Sequence, residues 1–124
     1  MMKNIVVLIS GRGSNLNSII LSTKKKNFPA KVSLVISDNK EALGLEIAKN
    51  NNIKNTVIDH KAFNDKGSFE EALIRTIVQH TPDLICLAGF MRILSKNFIE
   101  KFDGKIINIH PSLLPKYKGL NTHE

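Results

Sequence analysis

The sequence predicts an α/β fold, a Rossmann-like parallel sheet with helices on both faces. Short apolar runs alternate with helical patterns along the chain, and that order is typical of βαβ units. Residues 5–9 contain no polar side chain, and residues 83–88 contain none after Asp83. Continuous apolar runs of this length are typical of strands buried on both faces of a parallel sheet.

Length and composition predict one cytoplasmic domain. The 124 residues are 42% hydrophobic and 23% charged, which is ordinary for a globular protein. A single cysteine, Cys86, excludes an internal disulfide, and no signal-peptide layout or membrane-length apolar run is present. The net charge of +7 rests mainly on scattered lysines, with only Arg12, Arg75 and Arg92 as arginines. This pattern argues against a nucleic-acid face and favours small anionic substrates.

The first strand, residues 5–9, leads into a glycine-containing loop, residues 10–15. A helix follows, in which Leu16, Ile19 and Ile20 recur at helical spacing. The free N–H groups at such a helix N-terminus are a ready site for an anion. The third glycine of the dinucleotide fingerprint is absent, and an ordinary tight turn is the alternative interpretation.

Within this loop, Gly11 and Gly13 permit a positive φ and close approach of the backbone. Ser14 or Asn15 is predicted to cap the helix through its side chain. The lysines at 24–26 stand where the helix should end, since cations suit a helix C-terminus.

The middle of the chain predicts two more strands and two more helices. The strands are residues 32–36 and 56–58, and the helices are residues 42–50 and 68–79. Leu43, Ile47 and Ala48 are predicted to form the inner stripe of the earlier helix. The later helix should bury Phe69, Ala72, Leu73 and Ile77 and expose Glu70, Glu71 and Arg75. His60 has no partners at metal-ligand spacing and is interpreted as a loop histidine.

The fourth strand, residues 83–88, carries Cys86, which is interpreted as a small buried hydrophobe rather than a nucleophile. Residues 89–94 leave its carboxyl end with an aromatic, a methionine and two aliphatic side chains. These residues are either a loop that covers the core or the wall of a slot for a flat ring. A short helix over residues 96–102 precedes the last strand.

The last strand places two polar side chains where open α/β sheets bind ligands. Ile106, Ile107 and Ile109 predict a buried strand, and Asn108 and His110 point to one face because they are two residues apart. A proline at position 111 ends the strand. An Asn-x-His pair at the carboxyl end of a strand therefore predicts a site, with a capped turn as the alternative.

Three motifs in this order resemble the folate-dependent formyltransferase family. They are I-S-G-R-G-S-N-L, L-A-G-F-M-R-I-L and N-I-H-P-S-L-L-P-x-Y-x-G, and the resemblance covers essentially the whole chain. It is strongest to the members that formylate glycinamide ribonucleotide. The resemblance implies that residues 1–124 are the N-terminal domain of the formyltransferase fold, ending before the family's C-terminal part.

The resemblance also implies an activity and the residues that serve it. The activity is transfer of a formyl group from the co-substrate 10-formyltetrahydrofolate to the amine of glycinamide ribonucleotide in de novo purine biosynthesis, without a metal. The catalytic residues implied are Asn108 and His110, with an aspartate expected beyond the chain end, so that the chain alone should be weakly active or inactive. The phosphate-binding residues implied are Gly11, Arg12, Gly13, Ser14, Asn15 and Lys66. The folate-binding residues implied are Phe90, Met91, Arg92, Ile93, Leu94 and Asn108, and Pro111 is implied in other substrate contacts.

The chemistry of formyl transfer suits these residue types. The reaction passes through a tetrahedral intermediate whose oxyanion an asparagine amide can stabilise, and histidine is suited to moving the proton. The expected partners are the two small-molecule substrates, with no nucleic acid and no membrane, and a homodimer remains open. Two alternatives stand: a relative that acts on methionyl-tRNA or hydrolyses formyltetrahydrofolate, and a non-catalytic ligand-binding fragment.

Overall fold

The computed structural model of the chain describes residues 2–109. Its elements in chain order are β1 (Lys3–Ile9), α1 (Ser14–Thr23), β2 (Ala30–Ser37), α2 (Gly44–Asn50), β3 (Asn55–Val57), a one-turn 3₁₀ helix (His60–Ala62), α3 (Lys66–Gln79), β4 (Leu84–Ala88), α4 (Lys96–Lys101) and β5 (Ile106–Ile109). The predicted alternation of strands and helices is confirmed, and most bounds differ from the predicted ones by one or two residues. Over this part of the chain, each helix is too short or too polar to cross a bilayer.

All five strands form one parallel sheet in the order β3-β2-β1-β4-β5. The chain therefore starts at the centre, builds outward through β2 and β3, and then crosses β1 to add β4 and β5 on the other side. The strand order reverses between β1 and β4. In open α/β sheets, ligands bind outside the carboxyl ends of the strands at such a reversal.

The core has two layers, one on each face of the sheet, as the α/β prediction requires. On one face, Ile5, Val7 and Ile9 of β1 pack with side chains of α1 and α2. On the other face, Val6 and Leu8 pack with the apolar stripes of α3 and α4. Residues two apart along a strand point the same way, so alternate side chains of β1 enter the two layers. Both faces of the strand are therefore buried.

Three predictions of burial are wrong, each for a reason that lies in the tertiary structure. Leu43 is exposed because it precedes α2, and Leu45 is buried in its place. Glu70 is buried although it was placed on the outer side of α3, because it binds Ser95. Ile107 is 41% exposed, since among residues 2–109 β5 is paired with a strand, β4, on one side only.

Candidate functional site

The segments that follow β1 and β4 meet the end of β5 at the carboxyl edge of the sheet. We call residues 10–15 the glycine loop and residues 90–94 the apolar segment. The backbone N–H of Met91 donates to Ser10 Oγ at 2.8 Å, which ties the apolar segment to the glycine loop. The Asn15 side-chain amide donates to the carbonyl of Ile109 at 3.4 Å, which ties the loop to the end of β5. The glycine loop, the apolar segment and the end of β5 thus lie together at one edge of the sheet.

The glycine loop is held against the N-terminus of α2. Gly13 has a φ of 87°, and a Cβ added there would lie 2.6 Å from Gly44 Cα. The carbonyl of Gly11 accepts a hydrogen bond from the Gly44 N–H at 3.1 Å. A glycine is needed at position 13 for both its backbone conformation and this contact. The two glycines predicted a close approach of the backbone, but Gly44 could not be identified as the partner from the sequence.

The predicted side-chain cap of α1 is wrong. Gly13 occupies the N-cap position, where no side chain is available to bind the first turn, and its carbonyl accepts the Asn17 N–H at 2.8 Å. The Asn15 side chain is buried and reaches Ile109 instead, while Ser14 and Arg12 are exposed. The first N–H groups of a helix have no carbonyl one turn earlier, and N–H groups at such a terminus can bind an anion.

The apolar segment divides its side chains between the core and a cavity. Phe90 and Leu94 are partly buried against the α3 and α4 layer. Met91 and Ile93 are 72% and 82% exposed and line a cavity of about 450 Å³. Ligand pockets are usually about 300–1,000 Å³ and mainly apolar. The segment therefore covers the core with one set of side chains and walls a pocket with the other.

The charged side chain of the apolar segment is anchored by a buried carboxylate. Arg92 Nε lies 3.1 Å from Asp38 Oδ2, and Asp38 is only 2% exposed. His60, predicted to lie in a loop, begins the 3₁₀ helix, and its Nδ1 lies 3.0 Å from the carbonyl oxygen of Asp38. This role of Asp38 was not predicted from the sequence. Its signal was an acidic residue directly after the buried strand β2.

Lys66 lies at the start of α3 and lines the same cavity as Met91 and Arg92. The structure therefore groups Lys66 with the apolar segment, and its predicted role in binding the phosphate stays a prediction. Asp65, beside it, caps α3 by accepting the Ser68 N–H at 2.7 Å, and this backbone hydrogen bond, then one from the Ser68 side chain, lowers the pKa of Asp65.

Asn108 lies on β5 with its side chain exposed, and its register partner in β4 is Leu87. It directly precedes Ile109, whose carbonyl accepts the hydrogen bond from the Asn15 side-chain amide. His110 and Pro111 lie outside the described residues, so the predicted shared face of Asn108 and His110 stays a prediction.

Cys86 is buried in β4, and burial raises the pKa of its thiol to about 11, as expected for a small hydrophobe rather than a nucleophile. Between residues 2 and 109, no group of three histidine, cysteine, aspartate or glutamate side chains is placed to hold a metal ion.

Comparison with known proteins gives a consistent result. A family model described as formyl transferase matches residues 3–124. Phosphoribosylglycinamide formyltransferase of Escherichia coli is 47% identical over 120 residues, covering 97% of this chain and 57% of the relative. The trifunctional purine biosynthetic protein adenosine-3 of Gallus gallus is 48% identical over 97% of this chain and 12% of its own length. The chain thus spans little more than half of the first of these and a small part of the second.

Solved structures agree with these sequence matches. Phosphoribosylglycinamide formyltransferase from Brucella melitensis superposes with a TM-score of 0.87 at 42% identity, covering 97% of this chain and 62% of that one. The enzyme of the same name from Coxiella burnetii, in complex with CHES, gives a TM-score of 0.85 at 48% identity, covering 100% of this chain and 58% of that one. The resemblance stated from the three motifs is confirmed, and the chain belongs to the formyl transferase family.

Proposed function

We propose that this chain carries the substrate-binding edge of an enzyme that transfers the formyl group of 10-formyltetrahydrofolate to the amine of glycinamide ribonucleotide in purine biosynthesis. The Escherichia coli relative is named for formylation of phosphoribosylglycinamide. The observation that carries the proposal is the junction of the glycine loop, the apolar segment and β5 through the Ser10–Met91 and Asn15–Ile109 hydrogen bonds. Group transfer requires two substrates held side by side, and such a junction supplies neighbouring sites.

The acceptor's phosphate belongs, in this proposal, at the N-terminus of α1. Backbone N–H groups of Gly13, Ser14 and Asn15 are the donors, together with Gly11 and the exposed side chain of Arg12. The helix dipole favours an anion at this terminus, and the net charge of +7 favours its approach. The Gly11–Gly44 hydrogen bond keeps the loop in place before the ligand arrives.

The donor belongs in the cavity beside the apolar segment. Met91 and Ile93 offer apolar walls for a flat heteroaromatic ring, and Phe90 and Leu94 support them from the core. The side chains of Lys66 and Arg92 line the same cavity, and their positive charges suit an anionic group of the donor. Although the resemblance assigns Lys66 to the acceptor's phosphate, its place in this cavity also fits a carboxylate of the folate.

The chemical step exchanges one C–N bond for another. The acceptor's amine nitrogen bonds to the formyl carbon, giving a tetrahedral intermediate with a negatively charged oxygen. The bond from that carbon to N10 of the folate then breaks, the new amide loses the amine proton, and N10 gains a proton. We assign stabilisation of the oxyanion to the Asn108 amide and the proton transfer to His110, with Pro111 contacting substrate.

The substitution Asn108→Ala, made in a full-length enzyme that contains this chain, tests this proposal. Formyl transfer is followed by chromatography of the formylated ribonucleotide, and each substrate is titrated separately by calorimetry. Turnover should fall by roughly 100-fold or more, the usual loss of one oxyanion donor. Folate affinity should change little, because a transition-state contact contributes little to ground-state binding.

Asn50→Ala is the matched control, since Asn50 is an exposed asparagine at the end of α2. It should leave binding, turnover and the melting temperature unchanged. Full activity in Asn108→Ala would end the catalytic assignment. A wild-type chain that binds neither glycinamide ribonucleotide nor tetrahydrofolate at millimolar concentrations would refute the proposed function itself.

A further inference from the structure

Three buried polar side chains hold residues 91–95, a stretch that includes most of the apolar segment. Two of them directly follow β1 and β2, and the third lies in the first half of α3. Ser10 Oγ accepts the Met91 N–H at 2.8 Å, Asp38 Oδ2 lies 3.1 Å from Arg92 Nε, and Glu70 accepts the N–H of Ser95 at 2.7 Å as well as its hydroxyl. Of the buried polar residues in the described chain, only Asn15 and Ser37 are not used in this way.

The burial of Asp38 calls for an explanation other than stability. Removing a carboxylate from water carries a large desolvation penalty, and this one is only 2% exposed. Its Oδ2 has Arg92 at 3.1 Å and His60 Nδ1 at 3.8 Å, while its Oδ1 has no hydrogen-bond partner among the described residues. Buried ion pairs are often no more stabilising than apolar side chains of the same size. The pair is therefore better explained by the conformation that it selects.

That conformation is the one that shapes the cavity. Residues 90–94 form no helix or strand, and Gly89 before them has a φ of 74°. Contacts made by side chains must therefore fix the path of this segment. Arg92 stands between Met91 and Ile93, the two exposed apolar walls of the cavity. Its contact with Asp38 therefore fixes the backbone between these two walls, while the Arg92 side chain, 40% exposed, lines the cavity beside them.

We propose that Asp38 is a positioning residue which, by binding Arg92, fixes the apolar segment in the conformation that receives the pterin ring of the donor. The identity of the donor as a folate rests on the proposed function. The positioning of the segment rests only on the contacts described above. The two parts are therefore tested by different measurements.

Asp38→Asn keeps the shape of the side chain and removes its charge, and Glu41→Gln is the control for the loss of one exposed negative charge. Amide hydrogen exchange, followed by NMR, reports the conformation of the segment without any ligand. Exchange at Met91 should accelerate about tenfold in Asp38→Asn, since a charge-assisted contact that holds its neighbour is lost. The Ile85 amide, bonded to the Lys105 carbonyl in the sheet, should keep its rate in both variants.

Calorimetric titration with tetrahydrofolate tests the effect on the ligand. The Kd should rise about tenfold in Asp38→Asn, while the Kd of inorganic phosphate should stay within about twofold of wild type. In an Arg92→Ala background, Asp38→Asn should have almost no further effect on tetrahydrofolate, because the two residues act as one unit. A structural role alone predicts additive losses that follow the melting temperature.

Unchanged Met91 exchange in a folded Asp38→Asn protein would overturn the positioning role. Additive effects in the double-variant series would overturn it as well. If the wild-type chain fails to bind tetrahydrofolate while Met91 exchange still accelerates, the positioning role stands and the proposed donor is wrong.

Discussion

Replacement of Gly13 by alanine should lower the free energy of unfolding of this domain, and the size of the loss can be worked out from the structure. The new Cβ would lie 2.6 Å from Gly44 Cα and 2.9 Å from Ile47 Cδ1. The first contact is with backbone, which cannot rotate away. The φ of 87° adds a second cost, since a side chain is disfavoured there.

The two costs can be summed. A left-handed conformation costs roughly 1–2 kcal/mol for a residue with a Cβ. Overpacking against fixed atoms costs about 1–3 kcal/mol. The lower entropy of the unfolded alanine chain offsets about 0.4–1 kcal/mol. The net loss is about 1–4.6 kcal/mol, or roughly 4–18 °C in melting temperature at about 4 °C per kcal/mol for a domain of this size.

Thermal and urea unfolding followed by circular dichroism measures this loss, and Gly11→Ala is the matched control. A Cβ at Gly11 meets no atom within 4 Å, so that variant should melt within about 2 °C of wild type. If phosphate binds the loop backbone, Gly11→Ala should nevertheless weaken phosphate binding. A Gly13→Ala protein as stable as wild type would refute the argument that the contact with α2 requires a glycine.

Three further predictions concern charge and protonation. Iodoacetamide at about pH 8 should modify Cys86 only as fast as the protein opens, because burial raises the pKa of the thiol to about 11. Modification at the rate of a free thiol would contradict this. For the same reason, the free energy of unfolding should fall as the pH rises from 9.0 toward about 11. Lys66→Met should weaken tetrahydrofolate binding more than glycinamide ribonucleotide binding. The reverse order would instead support binding of the acceptor's phosphate by Lys66. Lys96→Met, at an exposed lysine, is the control. Asp65→Asn should lower the melting temperature at neutral pH, because the charged cap of α3 is lost. The difference in melting temperature between wild type and variant should vanish as the pH falls through the lowered pKa of Asp65, below 3.8. A difference that stays constant with pH would exclude a role for the charge.

Much of the fold was determined by local sequence pattern. Residues 5–9 had to form a strand buried on both faces, because no polar side chain in that run offers a face to water. The strand–glycine loop–helix order was itself sufficient to predict an anion site at the start of α1. The family, too, followed from three motifs alone, since each is local in the chain and their order was preserved.

The contacts that shape the candidate site were decided by the tertiary structure. The burial of Glu70 depends on Ser95, 25 residues away, and the Ser10–Met91 bond joins residues separated by 81. A helical pattern shows which face is apolar, but it cannot show that a carboxylate on the border of that face will meet two donors from another element. Likewise, Asp38 becomes an anchor only because the sheet order brings the ends of β2 and β4 to the same edge, on either side of β1. Periodicity reports the average environment of a face, whereas a hydrogen bond requires two particular atoms within about 3 Å, a distance set by the docking of whole elements.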